Sequence, residues 1–319
     1  MTSKIAIIGA GAIGGWIAAR LAIADARVTL VAQGETLRSI KESGLSLTES
    51  GERKTVEVPA CRADEVTGTQ DLVIVSVKAP ALSVAAQAVR PLIGERTVLL
   101  PILNGVPWWF TGDPLHSIDP TGAIAAALPM PQLIGCVVHA SCFCSAPNEV
   151  VVKQADRLIL GEPEGGLSER VATLCELFEG AAIRCEATAN VKRAIWYKLW
   201  GNATVNPLSA VTRATADQLL GDPVIRATMA DAMDELATVG AAIGCPISET
   251  AEDRMGVTAR LGAFKSSMLQ DVEQGRPIEL EVLLGAPREI AQRHGIPTPQ
   301  LDRLYALTRL MAANLGLLG

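Results

Sequence analysis

Ile5-Ala-Ile-Ile-Gly9-Ala-Gly11-Ala-Ile-Gly14 decides how the first half of this chain is read. A short apolar run is followed at once by three glycines spaced GxGxxG, and then by a helical pattern over 12–24. In that strand–turn–helix setting each glycine has its own task. Gly9 permits the tight turn, Gly11 lets a pyrophosphate approach the backbone, and Gly14 lets helix and sheet close together. The helix opening at Ala12 aims N–H donors and its positive dipole end at the phosphates. The whole turn, Gly9, Ala10, Gly11, Ala12, Ile13 and Gly14, is therefore the expected cofactor-binding loop.

The pattern continues outward from this turn. Arg27–Val31, Leu72–Val77 and Thr97–Leu103 are further strand candidates, with helical stretches at 36–43 and 81–93 between them. Unbroken apolar runs, rather than alternating ones, suit a parallel sheet covered on both faces. Leu45–Leu47 and Lys54–Val58 flank the turn Glu49-Ser-Gly-Glu52 and read as a hairpin. Strands recur at 135–142, 150–153 and 157–160, a helix at 168–181 and a closing strand at 183–186. After about Thr188 helical periodicity takes over, at 191–205, 224–243, 249–257, 261–274, 278–294 and 300–314. Pro207 and breaks such as Gly244-Cys-Pro246 and Gly295-Ile-Pro297 punctuate it. The expected class is α/β: a Rossmann-type dinucleotide-binding domain over 1–188, then an all-helical substrate and catalytic domain over 189–319.

Composition narrows the function. At 319 residues the chain fits two domains of roughly 100–200 residues each. Its 49% hydrophobic content, 19% charged content and mean hydropathy of +0.29 exclude a disordered chain. Lys and Arg number 28 against 34 Asp and Glu, a net charge of −6, which offers no footprint for nucleic acid or an anionic membrane. No apolar run reaches the ~18 residues that span a bilayer. Met1-Thr-Ser-Lys4 runs straight into the first strand, leaving no stretch for a signal peptide. Seven Cys without CxxC spacing and three scattered His read as reduced thiols and no metal site. A cytoplasmic protein acting on a small molecule is expected, with neither nucleic acid nor membrane as partner.

Ligands bind at the carboxyl ends of strands in open α/β sheets, so residues there are the next candidates. At Val31-Ala-Gln33 the Asp or Glu that holds a ribose 2′-hydroxyl in NAD enzymes is missing. Gln33 can hydrogen-bond a phosphate oxygen, with Arg38 or Lys41 on the next helix adding charge. NADP, as NADPH, is favoured, and NAD stays possible. Lys78 ends one apolar strand and Asn104-Gly105 another. Asn-Gly alone is ordinarily a turn, but the matching position of Lys78 points both toward the cofactor. In the helical half, Lys198, Asn202 and Asn206 recur at i, i+4 and i+8, stacking an amine and two amides on one stripe. A solvated face would carry Glu–Lys pairs rather than two Asn, which are poor helix formers. From the residues alone, Ser267 reads as a helix cap and Glu279 as a complement to a helix dipole.

Together these residues resemble the ketopantoate reductases (2-dehydropantoate 2-reductases). The likeness runs from Gly9-x-Gly-Ala-x-Gly14 through Lys78, Asn104-Gly105 and Lys198-x3-Asn202-x3-Asn206-Pro-Leu. It continues through Ser266-Ser-Met-Leu-Gln-Asp271, Glu279 and His294-Gly-Ile-Pro-Thr-Pro299. It implies an NADPH-dependent oxidoreductase that reduces ketopantoate to pantoate, within pantothenate and coenzyme A biosynthesis. By that resemblance Lys198 is the proton donor to the ketone oxygen, and Asn202, Asn206 and Ser267 bind substrate. Asn104 touches both cofactor and substrate. Glu279, counted with Lys198 among the catalytic residues, holds cofactor and substrate together. These roles replace the plainer readings of Ser267 and Glu279.

The sequence also departs from the family pattern. Gln33 stands where Arg is frequent, Leu284-Gly285 where Asn-Gly is frequent, and Thr215 or Ala216 where some members bind substrate with Asn. Trp108-Trp109 either line the pocket or pack in the core. Another branched or aromatic 2-keto acid on the same scaffold is the alternative substrate. A non-catalytic cofactor sensor is the alternative of a different class, and the intact Lys198 set argues against it. A fainter likeness to the 6-phosphogluconate-dehydrogenase-like proteins implies the same architecture. A monomer or homodimer is expected.

Overall fold

Ile5–Ile8 is the wholly buried middle strand of a parallel sheet, as its unbroken apolar sequence requires. The computed structural model describes Ser3–Leu318; the readings that fall on Met1, Thr2 and Gly319 lie outside these residues. The strands are β1 (Ile5–Ile8), β2 (Val28–Val31), β3 (Leu45–Glu49), β4 (Glu52–Val56), β5 (Ala60–Cys61), β6 (Leu72–Val75), β7 (Val98–Pro101), β8 (Gly135–Ala146), β9 (Glu149–Gly161) and β10 (Cys185–Ala187). The helices are α1 (Ala12–Ile23), α2 (Gly34–Ser43), α3 (Leu82–Val89), α4 (Ala123–Ala127), α5 (Glu169–Gly180), α6 (Val191–Thr212), α7 (Ala216–Gly221), α8 (Pro223–Ala242), α9 (Ala251–Ala259), α10 (Ser267–Glu273), α11 (Ala286–Arg293) and α12 (Pro299–Leu315).

The first sheet runs β5-β2-β1-β6-β7 with every pair parallel, which is the Rossmann-type order expected of the glycine turn. A second sheet runs β10-β9-β3-β4, with β8 added through a long bulged hairpin to β9. The segments expected as two strands at 150–153 and 157–160 are thus one, kept continuous by pairing with β8. Helix α1 packs between the sheets, and its residues from Gly14 to Ala19, with Leu21, are all buried. A helix apolar on every side needs that position.

The helices after β10 are organised around α6. Trp196 and Trp200 on it are fully buried, and their indole N–H groups donate to the carbonyls of Leu236 (3.0 Å) and Met233 (2.8 Å) on α8. The sequence reading ended this helix before Pro207, yet it runs on to Thr212. Burial of every residue from 203 to 210 outweighs the ~3 kcal/mol that an interior proline costs. Two further expectations are corrected. The helix read over 261–274 is confined to α10, and the one read over 278–294 opens at Leu280 with a π-helical turn, Glu281–Gly285, before α11. Among the described residues no helix is long and apolar enough to cross a membrane.

The chain divides into two units, one made of residues up to Leu103 with Gly122–Val191, the other of Asn104–Thr121 with Lys192 onward. The sequence reading assigned 104–121 to the first domain; long-range polar bonds that leave no trace in periodicity tie the segment to the helices instead. The Glu289 carboxylate on α11 accepts from the backbone N–H of His116 (3.0 Å) and Ser117 (2.8 Å) and from the Ser117 hydroxyl (2.7 Å). Arg293 donates to the Pro114 carbonyl, and the Phe110 ring stacks on Trp196 at 5.8 Å.

Partial burial pushes the Glu289 carboxyl up, but its bonds from Ser117, His116 and Arg293 outweigh this and hold it below the usual carboxylate range. A depressed folded-state value contributes stability that is present above the unfolded value and lost as pH falls through the folded one. Glu289→Gln is therefore expected to lower stability by ~1–3 kcal/mol at pH 7. The gap to wild type should close as pH drops below the ordinary carboxylate value of ~4.3. Thermal melts of both proteins across pH 3–7 check this, and a gap independent of pH would contradict it.

Candidate active site

The glycine turn is built by contacts from Ser76 and Val77, the two residues that follow β6. Gly9 has φ +103°, and a Cβ there would stand 3.1 Å from the Ser76 carbonyl oxygen and 3.0 Å from Val77 Cγ1. Its N–H donates to Val31 O (3.1 Å), while the Ser76 hydroxyl donates to Gly9 O (2.9 Å). A side chain at Gly14 would run into that same Gly9 carbonyl and the Ser76 hydroxyl. Gly11, by contrast, faces open space: a Cβ built on it meets no heavy atom within 4 Å. It is the N-cap of α1, and no side chain caps the helix. Backbone donors at an uncapped, sterically open helix start fit a pyrophosphate. Ser76 went unnoticed in the sequence; its signal is its place at the end of an apolar strand, level with the turn.

Gln33 is the exposed N-cap of α2 and spends no side-chain bond on capping. Lys78 is exposed where β6 gives way to a single 3-10 turn. Both stand beyond the carboxyl ends of parallel strands, as the glycine turn does.

In the second unit the structure joins residues far apart in sequence. Lys198 and Asn202 are half-buried on α6 and Asn206 is buried. The Asn202 Nδ2 donates to Asn104 Oδ1 at 2.9 Å. Asn104 thus belongs with the amide stripe. The segment that carries it is held by the Val106 N–H, which donates to Val282 O (2.8 Å) in the π turn.

Ser266, rather than Ser267, caps α10: it is fully buried and its hydroxyl accepts from the Leu269 N–H at 3.1 Å. Ser267 is left exposed as the first helical residue, its hydroxyl outside the cap. Asp271, 2% exposed, accepts from Arg276 Nε (2.9 Å) and Nη2 (2.8 Å), and the Arg276 N–H donates to Asp271 O (2.8 Å). That pair sets the turn leading to Glu279. Glu279 itself is half-buried and precedes the helix by one residue, so it is not part of the helical turn the sequence suggested. π-Helical turns such as the one that follows are frequent at functional sites.

Sequence reasoning missed Glu281 in that turn. Burial pushes its carboxyl up, against the Tyr305 hydroxyl that donates to it at 2.9 Å. Burial likewise pushes the Cys142 thiol up to about 12 and raises those of Cys61, Cys175, Cys185 and Cys245. None of these five is an activated thiolate at neutral pH. Trp108 and Trp109 are 5% and 4% exposed, which makes them packing residues.

A parallel dinucleotide-binding sheet with an open glycine turn, joined to helices bearing a Lys–Asn–Asn stripe, defines a pyridine-nucleotide-dependent oxidoreductase. The family model described as ketopantoate reductase PanE/ApbA matches residues 5–165, and its C-terminal counterpart matches 190–312. The chain belongs to the ketopantoate reductase family. It is 37% identical over 322 residues to the 2-dehydropantoate 2-reductase of Mesorhizobium japonicum, covering 98% of this chain and 99% of that one. A candidate ketopantoate reductase from Ralstonia solanacearum shares 44% identity with it at a TM-score of 0.96, covering 99% of this chain and 100% of that one. The 2-dehydropantoate 2-reductase of Geobacter metallireducens shares 29% at 0.87, covering 97% and 99%.

Because Trp108 is buried, Trp108→Ala is expected to cost ~3–5 kcal/mol of stability. The ranking of 2-keto acids should stay unchanged. Denaturant unfolding and a substrate panel check the two halves separately; an altered ranking with stability intact would make Trp108 a pocket wall.

Proposed function

We propose that this protein reduces 2-dehydropantoate (ketopantoate) to pantoate with NADPH. The observation that carries the reading is the Asn202–Asn104 bond beside Lys198, in a chain related over nearly its full length to a 2-dehydropantoate 2-reductase. Gly9, Ala10, Gly11, Ala12, Ile13 and Gly14 hold the pyrophosphate, Gln33 faces the 2′-phosphate, and Lys78 also binds the cofactor. Cofactor binding is assigned to the unit built on the parallel sheet and catalysis to the helical unit, with Asn104 of the helical unit serving both. The protein works in the cytoplasm as a monomer or homodimer, on a small 2-keto acid, with neither nucleic acid nor membrane as partner.

When bound, the nicotinamide supplies a hydride to C2 of the keto acid. Lys198 donates a proton to the ketone oxygen as negative charge develops there, which completes the alcohol. Because Asn104 Oδ1 is occupied by Asn202, the Asn104 Nδ2 is left as a donor. The amide of Asn206 and the Ser267 hydroxyl supply further hydrogen bonds to the substrate. Glu279 holds cofactor and substrate in place. Fixing the ketone oxygen against the ammonium group is the larger share of the task, since a 1 Å misplacement costs as much as ~10² in rate.

Assaying a panel of 2-keto acids with NADPH and NADH in parallel tests the function. Ketopantoate with NADPH is expected to give the highest kcat/KM, and a different keto acid ahead by tenfold would replace it as substrate. Lys198→Ala is expected to lower kcat by at least ~10². Its Kd for NADPH, read by fluorescence, should stay within a few-fold of wild type. Near-normal turnover in this variant would remove Lys198 from the chemistry.

A further inference from the structure

The tip of β2 has a neighbour that the sequence conceals. β5 lies parallel to β2 with Cys61 opposite Val31, and the Ala32 N–H donates to Cys61 O at 3.0 Å. Two stretches therefore leave the sheet side by side, Ala32-Gln33 and Arg62, from strands about 4.8 Å apart. Gln33, Arg62, Asp64 and Gln87 line one pocket of about 330 Å³. Gln33 brings hydrogen bonds to this pocket but no charge.

We infer that Arg62 recognises the 2′-phosphate of the cofactor, supplying from β5 the cation that position 33 lacks; this rests on the cofactor reading above. A guanidinium presents a planar fork that matches a phosphate edge with two parallel bonds. Arg62 already uses that fork, donating from Nε to Asp64 Oδ1 and from Nη2 to Asp64 Oδ2, each at 3.1 Å. Its backbone is fixed by the N–H, which donates to Glu65 Oε2 at 2.7 Å. The side chains of Arg62 and Asp64 are 63% and 67% exposed, and ion pairs so placed are weak. A phosphate offers the same geometry with greater charge and takes the place of the Asp64 carboxylate. A ribose 2′-hydroxyl does not, so the Arg62–Asp64 pair survives an unphosphorylated cofactor and the site discriminates. Arg38, one of the two cations expected from sequence, instead stands 3.9 Å from Glu35 on the exposed face of α2.

The test is calorimetric titration of the full chain with adenosine 2′,5′-bisphosphate and with 5′-AMP, which lacks only the 2′-phosphate. Wild type and Arg62→Gln are compared, with circular dichroism verifying that the variant folds. Wild type is expected to bind the bisphosphate the more tightly. Arg62→Gln is expected to weaken it by ~10-fold and to leave 5′-AMP within twofold. Raising the salt concentration should erode the wild-type preference and leave the variant nearly unaffected. Wild type that binds both nucleotides while Arg62→Gln changes neither, or weakens both equally, overturns the assignment of Arg62 alone. Wild type that binds neither overturns it together with the cofactor reading.

Discussion

A side chain at position 14 has nowhere to go, and most of the first unit follows from that. Because Gly14 is bare, the first turn of α1 settles onto the Gly9 carbonyl and the Ser76 hydroxyl. That contact locks together the ends of β1 and β6 and the start of the helix. Gly15 next to it lies against Val150 of the second sheet, so the same helix is gripped from both sides. The consequence for function is geometric. With α1 held this closely, its N-terminus sits at the carboxyl edge of the sheet, uncapped by any side chain and open at Gly11.

The second unit depends on a segment that sequence order places elsewhere. Residues 104–121 follow directly on β7, yet Glu289, Arg293 and the Val282 carbonyl hold them among the helices. Asn104 is delivered in this way to Asn202, 98 residues along the chain. The carboxylates nearby have structural work: Glu289 collects backbone donors, Asp271 binds Arg276, and Glu281 takes the Tyr305 hydroxyl. The α6 stripe itself carries the amine of Lys198 and the neutral amides of Asn202 and Asn206.

Some elements were legible because their cause is local. The glycine spacing after an apolar strand, the switch to helical periodicity near Thr188, and the Lys198–Asn202–Asn206 stripe each depend on residues within a few turns of one another. Helix ends were less legible for the opposite reason. Pro207 lies inside α6 because surrounding burial overrides propensity, and the π turn at Glu281–Gly285 interrupts a stretch whose periodicity looked unbroken.

The two-part architecture, the glycine turn and the polar stripe of α6 can all be read from local sequence, since chain periodicity and the missing Cβ of glycine act over short distances. Which amide meets Asn202, which serine caps α10, where 104–121 belongs and that Arg62 leaves the sheet beside Gln33 emerge in the folded chain alone. These depend on strand register and on hydrogen bonds between residues dozens of positions apart. A hydrogen bond of that kind needs only one donor and one acceptor brought within ~3 Å, and it imposes no period on the residues in between.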